Sequence, residues 1–98
     1  MKRRKDIERI LRAHKAELAE KYGVREIGIF GSYARDEQTP ASDVDILVHF
    51  DRPIGLRFFE LWDYLEEILE LQVDLLTPGA LQQKPLLWKD AQKDLIYV

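Results

Sequence analysis

Two acidic residues open a run that is otherwise built for burial: Asp43-Val44-Asp45 leads straight into Ile46-Leu47-Val48. Side chains alternate faces along a strand, so Asp43 and Asp45 project to the same side. Upstream, beyond the ten residues Tyr33 to Ser42, stands Gly31-Ser32, which closes the short strand-like run Ile27-Gly28-Ile29-Phe30. A third carboxylate, Asp74, interrupts the apolar segment Gln72-Val73-Asp74-Leu75-Leu76. Adjacent carboxylates repel, and keeping them ionised in a partly dry site calls for a cation. Hard oxygen ligands that leave room for water and phosphate oxygens suit Mg²⁺.

The periodicities around these strands set the fold class. Ile7, Ile10, Leu11, Leu18 and Tyr22 recur at helical spacing and Gly23 follows them, which predicts one helix over about 5–22. A short helix is expected over 33–37, turn chemistry at Thr39-Pro40-Ala41-Ser42, and a strand over 43–50. Phe58, Leu61, Trp62, Leu65, Ile68 and Leu69 form the widest apolar stripe, predicting a helix over 56–71. A third strand over 73–76 and a last helix opened by Pro85 complete the order. The expected architecture is α/β (α+β): a small mixed three-stranded sheet flanked by about four helices. A helix joining the second and third strands permits a parallel crossover that sets Asp74 beside the Asp43/Asp45 end.

Composition narrows the functional classes. Ninety-eight residues, 46% hydrophobic and 34% charged, describe one folded domain over 1–98 rather than a disordered tail. No apolar run approaches the ~20 residues that cross a bilayer, so no membrane role is expected. There are no cysteines, which excludes disulfides and thiolate metal sites and makes a cytoplasmic setting the default. A net charge of −3 argues against direct nucleic-acid binding, and the basic stretch Lys2-Arg3-Arg4-Lys5 reads as a solvated N-terminus.

A nucleoside triphosphate suits the remaining pattern. A strand passing through Gly31-Ser32 into a helix offers backbone N–H groups and a hydroxyl to phosphate, and Gly31 lets the backbone approach closely. Arg35, one turn on, supplies a charge-assisted donor. Asp43 and Asp45 are then the expected metal ligands, with Asp74 completing a second metal position and assisting loss of the acceptor proton. Two other groupings read as structural: Arg9 with His14 on the first helix, and His49 late in the second strand.

Gly-Ser, a ten-residue gap and Asp-x-Asp, with a later strand-borne Asp, resemble the signature of the DNA polymerase beta-like nucleotidyltransferase superfamily. The chain as a whole is similar to its minimal nucleotidyltransferase domains. The resemblance implies that fold, with Gly31 and Ser32 on the nucleotide phosphates and Asp43, Asp45 and Asp74 on Mg²⁺. One departure is Asp36, where many members carry Gly after the Arg of the first motif; it adds negative charge near the nucleotide entrance. Such small domains are commonly paired with a HEPN (higher eukaryotes and prokaryotes nucleotide-binding) ribonuclease toxin. They act as antitoxins by transferring AMP from ATP to a toxin tyrosine. The resemblance therefore implies AMPylation within a hetero-oligomer. The alternatives are a binding module that neutralises its partner by contact, and nucleotide transfer to a small molecule such as an aminoglycoside. No further domain is expected within these residues to grip an acceptor, so the surplus aromatics Phe58, Phe59, Trp62, Tyr64 and Trp88 stand either as core or as partner anchors.

Overall fold

The computed structural model describes residues 2–98. Among the described residues, six helices and four strands follow in the order α1 (Arg4–Ala13), α2 (Lys15–Tyr22), β1 (Val24–Phe30), α3 (Gly31–Ala34), β2 (Val44–Phe50), α4 (Arg57–Leu69), β3 (Val73–Leu76), α5 (Pro78–Gln82), α6 (Pro85–Asp94) and β4 (Ile96–Tyr97). The strands form one mixed sheet in the order β3-β2-β1-β4. β2 pairs antiparallel with β1 and parallel with β3, and β4 pairs antiparallel with β1.

The expected mixed α+β architecture is present, with one more strand and two more helices than the periodicity indicated. The fourth strand has two residues, too few to show alternation, and exists only because it pairs with Gly28 and Ile29. The first predicted helix divides at His14, whose backbone φ of −105° and ψ of 7° leave the helical region. Its Nδ1 lies 2.8 Å from the Ile10 carbonyl oxygen, which can only accept, so the ring donates there. A side chain bonded to a carbonyl four residues back competes with the helix's own ladder. Gly23 ends α2 in the left-handed region, as its position predicted.

Each face of the sheet packs its own core. Val44, Ile46 and Val48 of β2, with Ile27, Ile29, Val73 and Leu75, meet Ile7 and Leu11 of α1, Leu18 of α2, and Leu61, Leu65 and Leu69 of α4. Burial of a side chain of this size contributes about 1.5–3 kcal/mol, which makes this the main stabilising layer. On the opposite face Leu47 and Phe30 form a smaller cluster with Leu81 of α5 and Ala91 of α6, joined by Leu76, Trp88 and Leu95. Strand alternation therefore sends Asp45 toward the α5/α6 side, where helical cover is thinner.

The aromatic surplus is mostly structural. Trp62 donates from Nε1 to the Val73 carbonyl at 2.7 Å, and Glu66 accepts from the Val73 N–H at 2.9 Å. These two α4 side chains satisfy both outward backbone groups of the first residue of β3, an edge strand, and so fix the residue beside it, Asp74. Phe58 packs edge-on against Phe50 and Trp62, and Tyr64 lies against Tyr22 and His14. Of the aromatics named as anchors, Phe59 alone is a largely exposed side chain, at 60%.

Candidate active site

Three strand ends meet at one edge of the sheet. β1 delivers Phe30 opposite Asp45 at the start of β2, and the parallel partner of Asp45 is Asp74 at the start of β3. Paired residues on neighbouring strands share a face about 4.8 Å apart, so Asp45 and Asp74 stand side by side on the α5/α6 face. This is the juxtaposition that the helix-linked crossover anticipated. Asp43 lies one residue before β2, exposed in the turn, and not within the strand as the alternation implied. The Gln72 carbonyl takes the Val44 N–H at 2.9 Å, so ladder pairing begins only after Asp43.

Charge accumulates here. Burial raises the Asp45 carboxyl to about 6, and the neighbouring Asp74 and Asp43 carboxylates add to the effect, with Arg35 opposing it. The site thus disfavours its own negative charge at neutral pH, and a cation would relieve that. Among the described residues no three acidic or imidazole groups converge into a ready metal cage. Mg²⁺ does not need one: it takes one or two carboxylates and completes its shell with water and substrate phosphate. The in-register carboxylates Asp45 and Asp74 would suit a cation that arrives with a nucleotide, and Asp43 lies just outside the strand before them.

Gly31 is shaped to the same carboxylate. Its φ is +74°, and a Cβ placed there would lie 2.1 Å from Asp45 Oδ2. The glycine is therefore needed twice, for the left-handed backbone and for the space that Asp45 occupies. Gly31 and Ser32 begin α3, a single turn, whose leading N–H groups have no partner within the helix. With Phe30, Arg35 and Asp45 they line a cleft of about 310 Å³ whose far wall is Leu87, Asp90, Ala91 and Asp94 of α6. Arg35 is not idle there: it pairs through Nη1 with Asp94 and lies 3.4 Å from Glu37 through Nε. Asp43 faces a separate groove between the 40–43 turn and α4.

The expected helix over 33–37 is displaced to Gly31–Ala34, and this revises the reading of Asp36. Asp36 is not a helical position; its φ is +56°. It sits where the chain reverses after α3, with the Glu37 N–H returning to the Ser32 carbonyl at 2.9 Å. A glycine there avoids the left-handed cost, about 1–2 kcal/mol for other residues. In compensation the Asp36 carboxylate accepts from the Arg4 N–H at 3.0 Å and caps α1 instead of facing the cleft. We expect Asp36→Ala, which keeps the strain and loses the cap, to cost about 1–2 kcal/mol, and Asp36→Gly to stay within about 0.5 kcal/mol of the parent. Urea denaturation of the two variants checks this; equal losses would show that backbone strain plays no part.

The groups set aside in the sequence stay outside the site. Arg9 pairs with Asp6 at 3.1 Å on α1. His49 bonds Tyr97 at 2.9 Å near the opposite end of β2, where a groove of about 490 Å³ includes Arg25, Arg52 and Thr77. Asp90 and Asp94 line the cleft without any motif to mark them; their one sequence signal is that Leu87, Asp90, Ala91 and Asp94 share a helical face by spacing.

Residues 11–98 match the family described as nucleotidyltransferase domain. Over 99 residues the chain is 54% identical to a Methanocaldococcus jannaschii protein provisionally named a protein adenylyltransferase, with all of both chains covered. It is 51% identical over 94 residues to the protein adenylyltransferase MntA of Thermococcus cleftensis, covering 95% of this chain and 93% of that one. A solved structure provisionally described as a minimal nucleotidyltransferase superposes with a TM-score of 0.70 at 29% identity, covering 92% of this chain and 93% of the other. A toxin–antitoxin crystal structure with AMP-PNP shares the fold alone, with a TM-score of 0.63 at 24% identity over 96% of this chain and 70% of that chain.

Proposed function

Because this chain belongs to the nucleotidyltransferase domain family and is an enzyme of that class, we propose that it transfers AMP from ATP to a tyrosine of a helical HEPN-type toxin and so acts as an antitoxin. The observation that carries this reading is the in-register pair Asp45–Asp74 standing beside Gly31-Ser32 on the thinly covered sheet face. Protein acceptors are favoured by the names of the relatives, which are called protein adenylyltransferases.

In this reading Gly31 and Ser32 receive the phosphates through backbone N–H groups and the Ser32 hydroxyl, and Arg35 offers guanidinium donors from the end of α3. Asp43, Asp45 and Asp74 are the side chains that would hold Mg²⁺, whose contribution when bound is to neutralise phosphate charge and polarise the reacting phosphorus. The acceptor hydroxyl oxygen bonds the α-phosphorus, the bond to the bridging oxygen of the β-phosphate breaks, and pyrophosphate leaves. Asp74 takes the proton released by the acceptor. Trp62 and Glu66 matter to this chemistry indirectly, because they tie down the residue preceding Asp74.

The test is transfer of label from ATP marked on the α-phosphate. The purified chain with Mg²⁺ and its helical partner should label a partner tyrosine, and the two proteins should co-elute. Asp74→Asn should reduce labelling by about 10²-fold, the scale of losing a positioned proton acceptor, with a far smaller change in nucleotide affinity. Tight association without any modification would replace the enzymatic reading with neutralisation by contact. Efficient labelling of aminoglycosides by the lone chain would move the acceptor to small molecules.

A further inference from the structure

The cleft that faces Gly31 and Ser32 already contains an anion partner for its guanidinium. Arg35 donates through Nη1 to Asp94 Oδ2, bridging α3 to α6, while Glu37 approaches Nε at 3.4 Å. The Arg35 side chain remains 42% exposed and that of Asp94 only 17%, so Arg35 is the more accessible member of the pair at the cleft wall. Asp94 is also the last residue of α6, where the partial negative charge of a helix C-terminus disfavours a carboxylate. An acid placed there without its Arg partner would be unfavourable. The cleft lining sets Asp45, Asp90 and Asp94 against Arg35, three formal negative charges against one positive.

A phosphate entering this cleft must take donors that Asp94 now occupies. We propose that Asp94 sets nucleotide affinity through Arg35, the α6 carboxylate and the phosphate binding the guanidinium in turn. The inference rests on the nucleotide reading of this cleft given above. Arg35, part-exposed in this pair, can exchange partners, and a polyphosphate is the stronger competitor because it presents more charge and more acceptor oxygens. Asp94 is thus a positioning residue: it keeps Arg35 directed across the cleft and neutral overall until a phosphate arrives. It also links α6 to the nucleotide, since release of Arg35 removes a tether between α3 and α6.

Calorimetric titration with AMP-PNP and Mg²⁺ tests this, with folding of each variant checked by thermal melting. Asp94→Asn should tighten binding by about 5- to 10-fold, while Asp94→Glu, which keeps the carboxylate, should stay near the parent. Asp90→Asn removes the same charge from the same cleft without freeing Arg35, and its gain should be less than about twofold. On an Arg35→Gln background the Asp94→Asn gain should vanish, as coupling through Arg35 requires. Weaker binding by Asp94→Asn, an equal gain from Asp90→Asn, or a gain that persists without Arg35 would each overturn the inference. Failure of the parent and every variant to bind AMP-PNP would instead remove the nucleotide reading itself, and this inference with it.

Discussion

Asp45→Asn should lower nucleotidyl transfer by about 10²- to 10³-fold while raising the melting temperature of the metal-free protein above pH 6. The activity loss follows from the proposed role of Asp45 in holding a cation beside the phosphates, and its size is that of losing one preorganised electrostatic group. The stability gain follows from the cost of the carboxylate in the nucleotide-free fold. Burial and the charges of Asp74 and Asp43 raise Asp45 from 3.8 to about 6. A folded-state value above the unfolded one means that the fold binds this proton more tightly, so Asp45 favours folding most when it is protonated. That advantage is whole below pH ~4, is lost between pH 4 and 6, and is absent above 6. The uncharged Asn removes the penalty, so the variant should gain about 1 kcal/mol at pH 7–8, the shift being discounted for solvent screening of a part-exposed group. Melting curves in EDTA at pH 8, 7, 5 and 3.5 should show the difference closing as the pH falls. A gain that is constant across pH would mean that something other than this charge is responsible.

Gly31→Ala should be nearly as damaging to transfer, and for a reason that no pattern of polar residues announces. The new Cβ would lie 2.1 Å from Asp45 Oδ2, far inside contact distance, and the φ of +74° would hold alanine in the left-handed region. The backbone strain costs about 1–2 kcal/mol. The clash is with the end of a side chain, so the fold should survive while the Asp45 carboxylate is pushed aside. Transfer should therefore fall to the level of Asp45→Asn. The Gly31→Ala/Asp45→Asn double variant should be no worse in activity than either single change, because both remove the same group. Additive losses would show that Gly31 serves the reaction independently of Asp45. Near-normal transfer by Gly31→Ala would remove the close approach from the argument altogether.

The candidate site residues were legible because each belongs to a local pattern. Asp43 and Asp45 interrupt an apolar run with period two, Asp74 interrupts another, and Gly31-Ser32 ends a strand. Their meeting was legible only in outline. A helix between β2 and β3 allowed a parallel pair, but the register that sets Asp45 against Asp74 comes from the sheet. The partner-anchor reading of the aromatics shows what local patterns miss. Phe58 and Trp62 carry the same spacing whether they cover a sheet or face solvent, and only packing assigns Trp62 to the Val73 carbonyl.

By itself the sequence determined the alternation of helices and strands, the faces of β2 and the acidic and glycine positions, because these rest on side-chain period and backbone preference over a few residues. The tertiary structure alone decided the two-residue β4, the left-handed turn at Asp36 that caps α1, and the pairing of Arg35 with Asp94. Each of these joins segments distant in sequence: 32 residues separate Asp36 from Arg4, and 59 separate Arg35 from Asp94. A contact of that kind is created when the chain closes on itself, and neither partner carries a local mark of the other.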